Sequence, residues 1–243
     1  MVTGTIEFAA PIAGLRFRPI QVSSPHPAVE KIVVEAQDDE WVNIVFHLAD
    51  VFNFEDAEAI ANGILPSIVN RLAFYRNVPV SEPHFRGATL PKDASGSSYT
   101  VRSDRLLMWD HTVPVLTLGE DTRKDLARIL EQAYTHHDLY SAYRFAGNQS
   151  DPVARFMFLY NILLQLNSDS QQQVDVFICS EMPSVPRSPR PDRRNIIETV
   201  YTRLRNEVGH RRPGTSPEQT RREIQDNVAP FQELVRTAIS RVV

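Results

Sequence analysis

Residues 112–130 read TVPVLTLGEDTRKDLARIL, and a change of periodicity inside them divides the chain. Up to Leu118 the residues are β-branched and apolar in the manner of a strand. Beyond Gly119 the apolar positions Leu126, Ile129, Leu130 and Ala133 recur at intervals of three and four, the spacing of a helix. Thr122 with Asp125 predicts a capping box for that helix, whose apolar face extends to His137 or Tyr140. A domain boundary is therefore expected near Leu118, giving a mixed α/β domain over residues 1–118 and an all-α domain over residues 119–243.

Upstream, Val29–Ala36 (VEKIVVEA) and Trp41–Leu48 (WVNIVFHL) are strand-like and are joined by the acidic turn Gln37–Glu40, which predicts a hairpin. From Phe54 to Tyr75 the pattern is helical, with Asn53 and Asp56 placed to cap it and Pro66 predicting a kink or break. Ser81–Thr89, Ser98–Arg102 and Thr112–Leu118 read as extended segments around the loop Pro91–Ser98. The expectation is a small sheet with one helix against it.

Downstream, Asp151-Pro152 opens a helix to Leu166 that is apolar almost all round, as in the centre of a bundle. Residues 168–191, polar and then proline-rich, predict a long connection. A helix follows from about Asp192 to Val208, ending on Gly209 as a left-handed C-cap. The last begins at Ser216-Pro217-Glu218-Gln219, with a kink expected at Pro230. Four helices make a small bundle, and the fold class is α+β.

Composition limits the chemistry. Of 243 residues 42% are hydrophobic and 23% charged, with no apolar run near the ~20 residues of a membrane span. No basic leader segment is visible at the start, and a soluble, cytoplasmic protein is expected. The single cysteine, Cys179, cannot form an intramolecular disulfide and reads as a packing residue. Nucleotide-loop, serine-hydrolase and zinc-protease signatures are missing from the sequence. The net charge is −4, yet residues 187–222 hold ten Arg against four acids, a segment that could face phosphates or form a solvated helix and linker.

That basic segment contains Leu204-Arg205-Asn206-Glu207-Val208-Gly209-His210. It resembles the HEPN superfamily, whose signature is R-x(4–6)-H at the C-terminal end of a helix in a bundle, often with a polar residue after the arginine. Here four residues separate Arg205 from His210, and Asn206 supplies the polar position. The phrase from Tyr201 to Gly214, with the Asp151–Leu166 helix, also resembles the J accessory proteins of bacterial methylamine-utilisation clusters. Spacing alone carries little weight, because about two such pairs arise by chance in a chain this rich in arginine. Arg105 and His111 make another, in a segment read as extended. Helical context favours Arg205 and His210.

The resemblance implies metal-independent RNA cleavage, without a cofactor, in a cleft between the protomers of a homodimer. Histidine can move a proton near neutrality, and arginine can hold phosphorane charge through its planar fork. Asn206 would orient the histidine or the phosphate. On a straight helix residues five apart lie about 140° apart, so a left-handed Gly209 would be needed to bring His210 back toward Arg205. Arg203, Arg211 and Arg212 are candidates to contact an RNA backbone. The resemblance covers the last half of the chain, leaving residues 1–118 as a sensor or inhibitor. The alternative is a non-catalytic, dimeric accessory or assembly protein, in which an Arg–His pair only satisfies carbonyls at a helix end.

Weaker candidates complete the reading. His136-His137-Asp138 offers three metal-ligand types in a row, but neighbours on a helix point apart, so His137 reads as a helix-face residue and no metal site is expected. Tyr134, Tyr140, Tyr143, Phe156, Phe158 and Tyr160 read as core, with a base-stacking platform as the other use. Trp41 and Trp109 read as core or core-edge residues.

Overall fold

The computed structural model describes residues 2–94, 97–103, 115–133, 135–191, 193, 195–210 and 214–243. Two compact units divide the chain, Met1–His137 and Asp138–Val243.

In the first unit the order is β1 (Thr3–Pro11), β2 (Leu15–Val22), β3 (Val29–Ala36), β4 (Trp41–Ala49), α1 (Phe54–Arg76), β5 (His84–Pro91), β6 (Ser98–Arg102), β7 (Leu116–Thr117) and α2 (Glu120–Glu131). The sheet runs β6-β5-β1-β4-β3-β2-β7 and is antiparallel except where β7 pairs with β2. The expected hairpin is β3 and β4, in register from Val29–Leu48 to Glu35–Asn43 with one irregularity. Alternation drives Ile32 and Val34 of β3 and Val42, Ile44, Phe46 and Leu48 of β4 into the core. There they meet Ala57, Ala61, Leu65, Ile68 and Leu72 from one stripe of α1.

α1 begins where Asn53 accepts the Asp56 N–H (2.8 Å) and donates to its carboxylate (2.7 Å), as expected. It runs past Pro66 without interruption and ends on left-handed Asn77. β1 lies between β5 and β4, and at Gly4 a Cβ would stand 2.8 Å from Leu90 Cδ2 and 3.1 Å from the Thr89 carbonyl, so a larger residue would press on β5.

The unit boundary lies 19 residues beyond the expected one, although the strand-to-helix change does fall at Gly119. The reason is α2, which packs on β2 and α1 rather than opening a bundle. Leu126 and Leu130 join the sheet's core, and the buried Arg71 of α1 fastens the helix end. Its guanidinium donates to the carbonyls of Ile129 (2.6 Å), Leu130 (2.5 Å) and Gln132 (2.8 Å), groups that a helix C-terminus leaves without partners. The capping box at Thr122 is not formed; the N-cap is Gly119, which has no side chain to accept.

The second unit contains α3 (His137–Gly147, its first residue in the first unit), α4 (Pro152–Leu166), α5 (Gln171–Glu181), β8 (Arg187–Pro189), β9 (Ile197–Thr199), α6 (Val200–Gly209) and α7 (Pro217–Ser240). β8 and β9 form a two-stranded antiparallel sheet. Phe231 of α7 fills the centre against Phe156, Tyr160 and Tyr201, with ring centroids 4.9, 6.1 and 4.5 Å away. Asp151 caps α4 by accepting the Val153 and Ala154 N–H groups (2.8 and 2.9 Å). Ser216 caps α7, which continues through Pro230.

Four expectations change here. His137 and Tyr140 lie on α3, separate from α2. The connection over 168–191 contains α5, because Ser170 accepts the Gln173 N–H and starts a helix before the prolines begin. α6 starts at Val200, since Ile197–Thr199 is a strand. Over residues 119–243, where four helices were expected, six described helices (α2 to α7) and a small sheet thus stand.

Candidate functional site

A polar network crosses the core of the second unit and ends at Arg205. Asp175 of α5 points one carboxylate oxygen at β9 and α6. It accepts from the Thr199 N–H (3.0 Å), the Thr199 hydroxyl (2.6 Å) and the Thr202 hydroxyl (2.7 Å). The Thr199 hydroxyl in turn accepts the Thr202 N–H (3.3 Å), which caps α6. With its proton on Asp175, the Thr202 hydroxyl receives the Tyr160 O–H at 2.8 Å. Burial pushes the Tyr160 phenol well above its ordinary range, so it is a fixed donor near neutrality.

Asn206 is the second node. It is 5% exposed, on the α6 face that packs inward. Its carbonyl oxygen accepts from Gln171 Nε2 (3.0 Å) and Arg205 Nη1 (3.1 Å), and its amide donates to the buried Glu198 (3.2 Å). The side chain is therefore committed inside the protein and does not orient His210 or a phosphate directly. What it orients is Arg205, whose guanidinium also lies 6.0 Å from the centre of the Tyr160 ring. The buried Arg205 Nε has no hydrogen-bond partner among the described residues.

His210 lies at the exposed end of α6. Its N–H bonds the Asn206 carbonyl (2.8 Å), and its backbone is extended, at φ −142° and ψ 122°. Gly209 is the last helical residue and is not left-handed, so the turn expected to swing His210 back does not occur. The carbonyl that a left-handed cap would satisfy is already taken by His210 itself.

Arg203 is built into the fold. It donates to Glu207 (2.8 Å) and to Glu223 of α7, while the Thr220 hydroxyl donates to Glu207 (2.8 Å). Burial lowers its pKa, but the hydrogen bonds and charges of Glu223 and Glu207 outweigh that and raise it. Bound at both ends to carboxylates, Arg203 is not positioned to track a phosphate backbone. Arg211 and Arg212 lie outside the described residues, as do Arg105, His111, Trp109 and Tyr134.

A cavity of about 520 Å³ opens between the start of α4, the end of α6 and the start of α7, lined by Val153, Glu207, Val208, Thr215, Thr220 and Arg221 among others. Neither Arg205 nor His210 lines it. Of the aromatic concentration, Tyr140, Tyr143, Phe156 and Tyr160 are core, whereas Phe158 meets exposed Phe145 edge to face, with ring centroids 4.8 Å apart. Trp41 is 9% exposed at the core edge, beneath Arg86. Among the described residues no group of three His, Cys, Asp or Glu side chains is gathered to hold a metal, and no helix is long and apolar enough to cross a membrane.

Residue patterns missed Asp175 and Glu198, although each had a signal. A lone carboxylate stands inside the apolar stretch 174–179, and another between Ile197 and Thr199, where burial demands partners. Comparisons with protein-family models, curated proteins and solved structures found no match.

Proposed function

We propose that the second unit is a HEPN-type, metal-independent endoribonuclease that acts as a homodimer, with Arg205 and His210 meeting RNA in a cleft between copies. The observation that carries this reading is the state of Arg205. Asn206 fixes one edge of its guanidinium through Nη1 and Nε is buried, while the Nη2 edge of this half-buried side chain makes no hydrogen bond among the described residues, beside an exposed histidine at the open end of the same helix. A pre-oriented arginine with unspent hydrogen-bonding capacity suits the stabilisation of phosphorane charge. Because Gly209 does not turn His210 back, the second copy is the means by which a histidine would meet that arginine.

In the proposed reaction the ribose 2′-hydroxyl attacks the adjacent phosphorus as His210 takes its proton. The P–O5′ bond breaks, the departing oxygen takes a proton from water, and the hydroxide so formed is neutralised by the proton that His210 holds. The products are a 2′,3′-cyclic phosphate and a 5′-hydroxyl. Asn206 is a positioning residue, and the first unit acts as sensor or regulator. End-group analysis of RNA incubated with the full chain in EDTA tests this: cyclic phosphate ends are expected, and 3′-hydroxyl ends would overturn it. Arg205→Lys should restore little of what Arg205→Ala loses, because lysine lacks the bidentate fork.

A second reading, a dimeric accessory bundle such as the resemblance to methylamine-utilisation proteins implies, is favoured by Arg203 and Asn206, whose side chains are bound within the fold. In it, Arg205→Ala and His210→Ala weaken assembly instead of cleavage.

A further inference from the structure

We infer that the first unit carries a binding site for a small, uncharged, largely hydrophobic molecule with one hydrogen-bonding head. A cavity of about 540 Å³ lies between α1, the end of β2 with its following loop, and the end of α2. That volume is in the range of small-ligand pockets. Val22, Ile32, Ile64, Ile68 and Leu130 give it apolar walls. Gly63 lies exposed in its lining. A glycine in the interior of a 23-residue helix weakens that helix, yet here nothing lies within 4 Å of where a Cβ would stand. Any large side chain at this position would project from the cavity wall.

The charged groups in the lining select against ions. Arg71 has five N–H donors and spends them on the Ser67 carbonyl and hydroxyl and on the carbonyls of Ile129, Leu130 and Gln132. It therefore contributes positive charge to the wall but no donor for a carboxylate or phosphate. Glu131 brings negative charge to the same lining, with Oε1 accepting the Ser23 N–H (2.9 Å). An anion would lose its water beside Glu131 with no arginine donor left to replace it, and a cation would meet Arg71. A neutral body avoids both costs. Its head can use the Ser23 and Ser24 hydroxyls; the Ser24 oxygen accepts from the His26 N–H (3.2 Å) and keeps its own proton to donate. This site stands apart from Arg205 and His210 and does not depend on the ribonuclease reading.

Fluorescence titration of the full chain with phenylnaphthylamine, an uncharged hydrophobic probe, tests the inference. Saturable binding of one probe per chain is expected, and the anionic analogue anilinonaphthalenesulfonate should bind at least about tenfold more weakly. Gly63→Phe should fill the cavity and weaken the neutral probe at least about tenfold, while Gly63→Ala binds as the natural chain does. Ser24→Trp blocks the opposite wall and reads the same outcome should the phenylalanine variant not fold. Absence of saturable binding, equal affinity for the anionic probe, or undiminished binding by a folded blocked variant would overturn the inference.

Discussion

Arg71 and Gly209 show what one residue decides. Arg71 closes the end of α2 with three carbonyl hydrogen bonds, and no spacing rule marks it in advance, because its partners lie 58 to 61 positions away. Arg71→Leu should lower stability by about 3 kcal/mol, since several buried carbonyls would lose donors worth 1–3 kcal/mol each and relaxation would recover part. A urea midpoint unchanged from the natural chain would contradict that role. Gly209 was legible as a helix stop but not in its conformation: glycine suits a left-handed cap, yet nothing in the sequence forces one. As a right-handed helical residue with open space around it, Gly209→Ala should stabilise by about 0.5 kcal/mol. A left-handed glycine would instead make the alanine destabilising, and thermal denaturation distinguishes the two signs.

Among elements, those with a local start signal were legible. Asn53, Asp151 and Ser216 mark the starts of α1, α4 and α7 because a cap needs only residues two or three positions away. Ser216→Ala should cost about 1 kcal/mol. α5 carried the same signal in Ser170 and Gln173, masked by the polar run around it and the prolines beyond. β1 and β2 were not read as strands, since Gly4, Ala9, Ala10 and Pro19 are poor strand formers whose places are set by neighbouring strands.

The pairing of α6 with α7 carries a pH dependence. The Arg203 hydrogen bond holds the Glu223 carboxyl below its ordinary value, so its contribution is full above the unfolded-state pKa near 4.5 and is lost as pH falls through the lowered folded value. Glu223→Gln should therefore be less stable than the natural chain at pH 7. The gap should close as both are acidified past that carboxyl's titration. A gap independent of pH would mean the ion pair does not contribute.

For the whole molecule, the α+β character followed from one change of periodicity, but the division into units did not. The strand-to-helix switch at Gly119 is local, whereas the allegiance of α2 depends on contacts with α1 and β2. A fragment of residues 1–137 should accordingly unfold cooperatively, and one of residues 1–118, lacking Leu126, Leu130 and the acceptors of Arg71, should not. Equal cooperativity of the two would restore the earlier boundary. The candidate site was legible in the same partial way: Arg205 and His210 stand out by residue type and position, while the network through Asn206, Glu198, Asp175 and Tyr160 depends on which elements meet.

The most direct measurement for the proposed activity compares cleavage of single-stranded RNA in EDTA by the natural chain and by His210→Ala, each verified as folded and of the same oligomeric state. The account predicts cleavage by the natural chain and a loss of about 10²–10⁴-fold in the variant, the scale of a removed proton-transfer group. Intact RNA with the natural chain, or equal cleavage by both proteins, would contradict it.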